Sequence, residues 1–283
     1  YVRGISLGPL APLDSFEHPT GEQRTIVERM MNISDQKIAG RGAVAEVFFV
    51  SDEQLGDIAV KKIRTDRLQN PLVIRSFYTE VLTLFGLRHE NIIKYAGSHL
   101  DLKDPRRTFL AMERAAYTLD KEPVQDCTVR RVLRQMSKVL QYLKQKQMIH
   151  HDIKPENIGL TARGTVKLLD FGFACHPETQ EVRCGSFRYM PDEYLMEGSV
   201  TDRFDMFSFG ITLQDWLSEG MFNSVQTSIS SIEETHHANM PPSLKTILEQ
   251  STTGDPDRRL TPSALNHLIC GFDRETSCML YFG

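Results

Sequence analysis

The chain has 283 residues, a hydrophobic fraction of 40% and a formal net charge of −4 at pH 7, with a pI near 6.2. This length can bury a sizeable core in one or two domains, and the acidic balance argues against a nucleic-acid binder, which is usually strongly basic. No apolar run approaches the roughly 18 residues that a membrane-spanning helix needs. The five cysteines are scattered, which argues against a zinc site or a disulfide framework and predicts reduced thiols in a cytoplasmic protein.

The first third of the chain predicts an extension followed by strands. Residues 1–35 form the extension, in which Glu22–Met31 has its apolar residues near one helical face. Gly40 and Gly42 then lie between two strand-like runs, and the apolar strand Ile58–Lys61 ends in a lysine. Glycine lets backbone N–H groups approach a phosphate closely. A glycine-rich hairpin is common by itself, so its interpretation depends on the motifs that follow.

The middle of the chain predicts two helices separated by a strand. Phe77–Leu87 has apolar residues at helical spacing and carries Glu80. Residues 106–115 are expected to form a strand that runs into a linker. Val129–Gln147 repeats apolar residues at helical spacing over its whole length, which predicts a long core helix.

The loop Ile149–Ile158 concentrates residues suited to chemistry. Asp152, Lys154 and Asn157 lie close together in it, and a turn rigidified by Pro155 would let all three point in one direction. A short strand, Thr165–Leu169, then leads into Asp170-Phe171-Gly172.

Three later segments complete the pattern. Gly185–Glu193 ends in an acidic residue, and Asp205 opens a long apolar helix that runs through Leu217. Arg259 lies in the polar turn Asp255–Thr261.

In order and spacing, these motifs resemble those of the eukaryotic-type protein kinases of the serine/threonine class, over about residues 36–270. The sequence departs from the family pattern at several places. His150-His151-Asp152 stands for H-R-D, Ala45 replaces the third glycine of the glycine-rich loop, and Pro191-Asp192 replaces Ala-Pro.

The resemblance implies an α+β fold of two lobes. The N-lobe, residues 36–113, is small and β-rich with one helix. The C-lobe, residues 116–270, is larger and helical, and a short tail covers 271–283. The implied reaction transfers the γ-phosphate of ATP to serine or threonine hydroxyls of a protein substrate, with Mg²⁺ or Mn²⁺ as cofactor. No nucleic-acid partner or membrane span is expected.

The resemblance also assigns residues to roles. Asp152 would accept the proton of the attacking hydroxyl, and Lys154 would reach the transferring phosphate. Lys61 would contact the α- and β-phosphates of ATP and would be fixed by an ion pair with Glu80. The implied metal ligands are Asn157 and Asp170.

The implied nucleotide contacts come from the glycine-rich loop, the lysine strand, the linker and the catalytic loop. Met112 would lie beside the adenine, whose edge would bond the backbone of Glu113 and Ala115. The expected contacts are Gly40, Arg41, Gly42, Ala43, Val47, Ala59, Lys61, Met112, Glu113, Ala115, Glu156 and Asn157.

Further residues are assigned structural roles by the resemblance. Glu193 would pair with Arg259, and Asp205 would accept hydrogen bonds from the catalytic-loop backbone. Gly159 stands where the family usually has a leucine under the adenine. We therefore expect a roomy floor, partly filled by Leu169, and we expect Gly159→Leu to tighten nucleotide binding.

Two rival classes remain open at this point. A pseudokinase-like scaffold would bind ATP or partner proteins without catalysis, but the reactive side chains are retained. A small-molecule kinase of related fold would generally lack the segment Gly185–Glu193 and the arginine Arg259.

The sequence also predicts how the enzyme is controlled. His151 replaces the arginine that binds a phosphate on the activation segment in most of the family. Val182 stands where many members carry the phosphorylated threonine, and Thr179 and Ser186 are the other candidates for phosphorylation. We therefore expect activity without phosphorylation, with the segment held by packing of Val182 and Phe187.

Overall fold

The computed structural model describes residues 38–52, 56–101, 104–177, 185–198, 200–224 and 240–276. The chain divides into two compact units. The first contains the chain up to Arg88 together with Ile93–Arg114, and the second contains His89–Ile92 and the chain from Ala115 onward. The helix expected over Glu22–Met31 lies outside the described residues.

The first unit is a five-stranded antiparallel sheet with one helix. Its strand order is β1-β2-β3-β5-β4. The core under this sheet contains Phe48, Val60 and Phe109, each almost fully buried. The strands are β1 Ile38–Arg41, β2 Ala45–Asp52, β3 Gly56–Ile63, β4 Tyr95–His99 and β5 Phe109–Glu113.

Helix α1 of this unit spans Pro71–Gly86, so it begins earlier than the predicted Phe77. Asn70 caps it, since its side-chain oxygen accepts the backbone N–H of Leu72 at 3.0 Å. Asparagine followed by proline is a typical helix start. The sequence prediction missed it because the first turn has no apolar periodicity: Leu72 is 60% exposed.

The second unit is mainly helical, with a small three-stranded sheet in the order β6-β7-β8. This architecture and the sheet of the first unit confirm the predicted α+β fold. The elements are β6 Tyr117–Thr118, α2 Asp126–Gln145, β7 Ile158–Leu160, β8 Val166–Leu168, α3 Asp192–Glu197, α4 Phe204–Ser224, α5 Pro242–Ser251 and α6 Pro262–Thr276.

Helix α2 forms the centre of the second unit, as its apolar repeat predicts. Helix α4 packs its single tryptophan, Trp216, into the interior, where the indole N–H donates to the carbonyl of Glu122 at 2.9 Å. Within the described residues, none of the helices has the length and hydropathy needed to cross a membrane. Seven residues of α2 are buried: Val129, Val132, Leu133, Met136, Val139, Leu140 and Leu143.

Candidate active site

The loop that follows α2 is fixed to the start of helix α4. The carboxylate of Asp205 accepts the backbone N–H of His150 at 2.7 Å and that of His151 at 3.0 Å. Burial raises the pKa of Asp205, while His150 and the two backbone donors act in the opposite direction. This is the contact that the sequence predicts for Asp205, and it ties two consecutive peptide groups to one side chain.

His150 links the same loop to the Asp170-Phe171-Gly172 segment. Its Nε2 lies 2.8 Å from the carbonyl oxygen of Leu169, and its Nδ1 accepts the backbone N–H of Asp152 at 3.3 Å. Nε2 therefore carries the proton and donates to Leu169. The ring of Phe171 meets the imidazole edge to face at 4.7 Å. Sequence reasoning gave His150 no role, because only its spatial neighbours reveal one.

Asp152 is the centre of a closed polar network. Its Oδ1 accepts the backbone N–H of Ser186 at 2.9 Å, and its Oδ2 accepts Asn157 Nδ2 at 2.9 Å. The ammonium of Lys154 lies 2.8 Å from the same Oδ2 and donates to Ser186 Oγ at 2.7 Å. The structure thus brings together three predicted site residues and the serine that opens the next segment.

Gly185 allows the segment to approach the loop this closely. Its φ is +103°, and an added Cβ would lie 2.7 Å from the carbonyl oxygen of His151. Both the backbone conformation and the contact distance therefore exclude a side chain here.

Asp170 and Asn157 are the two predicted metal ligands, and the residue before Asp170 is bonded to Asn157. The N–H of Leu169, next to Asp170, donates to the carbonyl of Asn157 at 2.9 Å. Asp170 has a φ of +57°, a conformation that costs energy for a residue with a side chain and often marks a functional position. Among the described residues, no group of three or more His, Cys, Asp or Glu could hold a metal ion.

The oxygen ligands of Asn157 and Asp170 suit Mg²⁺. Asn157 uses its Nδ2 for Asp152, which directs its amide oxygen away from that carboxylate. Amide and carboxylate oxygens are the ligands that Mg²⁺ prefers, and protein sites commonly supply only one or two of them beside substrate phosphates. The two residues therefore fit the implied metal.

His151 occupies an aromatic environment. Its ring meets Phe204 at 4.3 Å and Tyr194 at 4.8 Å, both edge to face, and the side chain is 3% exposed. Burial, and to a smaller extent the charge of His150, lowers the pKa of His151 to about 4. The imidazole is therefore neutral at physiological pH and offers no cation for a phosphate.

The described end of the segment is held by residues other than those expected. Met190 and Tyr194 join Ile149 and Phe204 in one buried apolar cluster. The prediction that Phe187 packs is wrong, since this ring is 74% exposed. It lies on a short 3-10 turn, Phe187–Tyr189, in which no residue is buried. Val182 and Thr179 lie outside the described residues.

Glu193 and Arg259 form the predicted pair. Arg259 Nη1 lies 2.6 Å from Glu193 Oε1, and Nη2 lies 3.0 Å from Oε2. The guanidinium also donates to the carbonyl of Thr253 and stands over the ring of Phe207 at 5.0 Å. Arg259 is 2% exposed, so the bidentate geometry and the additional acceptor satisfy a charge that would otherwise be costly to bury.

In the first unit, the lysine of β3 meets the glutamate of α1. Lys61 Nζ lies 2.7 Å from Glu80 Oε2, and their side chains are 11% and 2% exposed, respectively. The ion pair that the sequence predicts is therefore present and largely removed from solvent. It fixes the position of the lysine ammonium at the inner face of the sheet.

The glycine-rich turn between β1 and β2 is an open hairpin. A Cβ added to Gly40 would touch nothing within 4 Å, and one added to Gly42 would make an ordinary contact with the carbonyl of Ala45. The packing of the protein itself does not require these glycines, which leaves access from outside as the reason for them. Arg41 and Ala43 are exposed.

Two features of this hairpin were not expected. Ala45, which replaces the third glycine, turns its side chain into the core and is 4% exposed. Arg64, beyond β3, donates to the carbonyls of Gly42 and Ala43 at 3.1 and 3.5 Å, and two bonds to Asp66 orient its guanidinium. Nothing in the spacing of the sequence marks Arg64 for this role.

The remaining predicted nucleotide contacts are distributed over both units. In the first, Ala59 on β3 is buried and pairs in register with Met112 on β5, and Val47 on β2 is half-buried opposite Lys61. The N–H of Glu113 donates to the carbonyl of Lys94 at 2.8 Å. In the second unit, Ala115 is half-buried and Glu156 is exposed on the turn Pro155–Asn157.

The expectation of an open space at Gly159 is wrong. A Cβ added there would lie 2.9 Å from the Cβ of Ala115 and 3.1 Å from a methyl group of Leu169. Gly159 pairs with Thr118 on one side and Lys167 on the other, so β7 cannot easily move away. Leu169 was expected to fill part of the space, but Ala115 closes the rest.

Comparison with known proteins agrees with this geometry. The family profile of the protein kinase domain matches residues 33–269, and the chain belongs to this family. It is 32% identical over 190 residues to an Aurora kinase of Yarrowia lipolytica, covering 64% of this chain and 50% of that protein.

Two other relatives give similar values. Identity to an Aurora kinase of Schizosaccharomyces pombe is 26% over 241 residues, covering 80% of this chain and 67% of that protein. Identity to the serine/threonine-protein kinase Aurora-1 of Arabidopsis thaliana is 30% over 189 residues, covering 64% and 63%. The chain thus spans about half to two thirds of the length of these relatives.

Proposed function

We propose that this chain transfers the γ-phosphoryl group of ATP to serine or threonine hydroxyls of protein substrates. The observation that carries the proposal is the network of Asp152, Lys154, Asn157 and Ser186. This network fixes the orientation of one carboxylate and places a lysine beside it. Phosphoryl transfer to a hydroxyl needs a base and a positive charge in this arrangement. Of the relatives named above, the Arabidopsis protein is a serine/threonine-protein kinase and the other two are Aurora kinases.

Asp152 accepts the hydroxyl proton in this proposal. Its Oδ1 is oriented by the Ser186 amide and its Oδ2 by Asn157, so the carboxylate needs no rearrangement before it receives the proton. Lys154 stands next to it and stabilises the negative charge of the phosphoryl group as it is transferred.

Asn157 and Asp170 hold the divalent cation in this proposal. When bound, the ion neutralises charge on the phosphate oxygens. Lys61 supplies a further positive charge, and the contact with Glu80 keeps its ammonium in place. The glycine-rich hairpin leaves room for phosphates beside Gly40, since no side chain covers this residue, although the N–H of Gly42 already donates to the carbonyl of Ala45.

The test of the catalytic role is Asp152→Asn, which keeps the shape of the side chain and removes its basicity. Turnover is expected to fall by about 10²- to 10⁴-fold, the usual contribution of a positioned base. Phosphate transfer to a serine peptide library is measured with ATP and Mg²⁺, and unfolding is followed by calorimetry. Asp257→Asn, at an exposed position, is the matched control.

If Asp152→Asn retained more than about a tenth of wild-type turnover, the assigned role would be wrong. A wild-type protein that binds ATP but transfers no phosphate would favour the pseudokinase-like scaffold instead. A preference for small-molecule acceptors would favour a small-molecule kinase of related fold.

We also propose that the unphosphorylated enzyme is active. The support is the neutral, buried imidazole of His151, which lacks both the charge and the fork geometry with which arginine binds phosphate. The packing of Met190 and Tyr194 against Ile149 takes the place of such a contact.

This second proposal is tested by removing phosphate. The protein is treated with a phosphatase, its state is confirmed by mass spectrometry, and activity is measured while autophosphorylation is blocked. Activity should change by less than about twofold, since no packed contact is lost. A loss of more than about tenfold that phosphate on residues 175–186 restores would contradict the proposal.

The proposed location is the cytoplasm. Its support is the scattered spacing of the five cysteines and the free thiol of Cys127, which suit a reducing compartment. Fractionation of cells that express the protein would test it.

A further inference from the structure

A groove of about 800 Å³ runs between helices α2 and α6 of the second unit. It lies along the part of α2 from Cys127 to Lys138, whereas the catalytic loop follows the opposite end of this helix. None of the residues assigned above to catalysis or nucleotide binding lines it.

The wall that α2 contributes is strongly basic. Arg130, Arg134 and Lys138 follow one another at intervals of four residues, and Arg131 lies beside them. Of the described residues that line the groove, these four are basic and Asp273 is acidic. This balance is opposite in sign to the net charge of −4 of the whole chain. A concave surface of one charge attracts ligands of the other.

Contacts within the fold hold part of this wall in position. Arg134 bonds Asp273 on α6, with Nη2 2.6 Å and Nε 3.1 Å from the same carboxylate oxygen. Arg131 lies against the turn at Gly164, where an added Cβ would be 2.4 Å from its Nη1. Arg130 and Arg131 are only half-exposed, unlike the residues of a convex, solvated helix face.

The geometry matches an extended acidic peptide. Four residues of a helix rise about 6 Å, which is the interval between Arg130, Arg134 and Lys138. Alternate side chains of an extended strand lie on one side at intervals of about 6.6 Å. Carboxylates at every second position of such a strand would therefore come level with Arg130, Arg134 and Lys138, of which Arg134 already binds Asp273.

The floor favours a peptide over a nucleic acid. Ile269, a buried residue of α6, lines the groove together with the thiols of Cys127 and Cys270. Apolar side chains of a peptide can contact these groups, but a phosphate backbone cannot use them. The carboxylate of Asp273 inside the groove and the acidic chain around it also repel a long polyanion.

We propose that this groove docks an extended acidic segment of a partner protein, with carboxylates at alternate positions and apolar residues between them. The groove lies apart from the catalytic loop, so it selects or retains a partner without taking part in phosphoryl transfer. The proposal goes beyond the proposed function and does not depend on it.

Fluorescence anisotropy with a labelled peptide in which glutamate alternates with leucine and serine tests the charge match. Arg130→Glu combined with Lys138→Glu should raise Kd by at least about tenfold, because attraction becomes repulsion. Lys245→Glu, at an exposed lysine of α5 outside the groove, should leave Kd unchanged. Binding to the wild type should weaken as salt is added.

A footprinting experiment on the wild-type protein tests the place of binding without any variant. The exposed thiols of Cys127 and Cys270 line the groove, whereas Cys175 does not. The peptide should slow maleimide labelling of the first two and leave Cys175 unchanged, as read by peptide mass mapping. Phosphorylation of a short substrate without acidic residues should be equal in the wild type and the double variant.

Four outcomes would overturn the proposal. The first is no saturable binding of the peptide, and the second is an affinity that the double variant does not change. The third is a DNA oligonucleotide that protects the same two thiols as well as the peptide does, which would make the groove a general anion site. The fourth is a dimer, seen by sedimentation, that protects them without peptide.

Discussion

At the scale of single residues, His151 shows how a substitution can change both charge and environment. In an unfolded chain its pKa is near the ordinary value of 6.5, whereas burial lowers this pKa to about 4 in the folded protein. Between these two values the unfolded chain binds a proton that the folded protein does not. The free energy of unfolding therefore falls as pH falls from about 6.5 towards 4, and this contribution is fully present above 6.5.

His151→Asn should remove that part of the pH dependence, because asparagine does not titrate. At about 1.4 kcal/mol for each pKa unit, the difference between 6.5 and about 4 corresponds to roughly 3 kcal/mol. Asparagine also tolerates the φ of +73° at this position. Urea unfolding of both proteins is measured at several pH values between about 7 and about 4.5.

The slope of the free energy of unfolding against pH is compared between wild type and variant. A loss of packing that is the same at every pH does not change this slope. His267→Gln, at an exposed histidine of α6, should keep the wild-type slope. Parallel curves for wild type and His151→Asn would show that His151 does not cause the dependence.

Gly159 belongs to the scale of elements, since it is the point at which β7 pairs with both β6 and β8. A leucine at this position would meet Ala115 and Leu169 at distances below ordinary contact. We expect Gly159→Leu to lower the free energy of unfolding by about 1–3 kcal/mol, the usual cost of overpacking. We also expect weaker nucleotide binding, in contrast to the expectation from sequence alone.

Thermal unfolding and calorimetric titration with ATP measure the two effects of Gly159→Leu. Gly254→Leu is the matched control, because a Cβ at Gly254 touches nothing within 4 Å. Unchanged stability together with tighter ATP binding in Gly159→Leu would reinstate the original expectation and show that β7 can move.

Sequence predicts elements well where one periodicity dominates and less well where tertiary contacts decide. The apolar repeat of α2 gave the correct helix and its core residues. The start of α1 was missed because it depends on the cap at Asn70. The roles of Arg64 and His150 depend on carbonyl groups distant in sequence, and no local pattern encodes them.

At the scale of the whole molecule, the order of motifs predicts the α+β architecture and the family. The contacts around Asp152, Asp205 and Glu193 follow from that order, because each partner lies in another motif. Gly159 was misjudged because it was interpreted from the leucine that the family carries at that position, and Phe187 because it was expected to pack within its segment. Local packing decides free space and exposure at both residues.

The rings around His151 affect how long the active state lasts. A phosphate latch can be removed while the protein stays folded, whereas Tyr194 and Phe204 leave the imidazole only when this part of the unit opens. On the proposed function, the competent state then lasts as long as the folded chain does. The amount of active enzyme would then be set by synthesis and degradation of the protein, and not by a phosphatase acting on the finished enzyme.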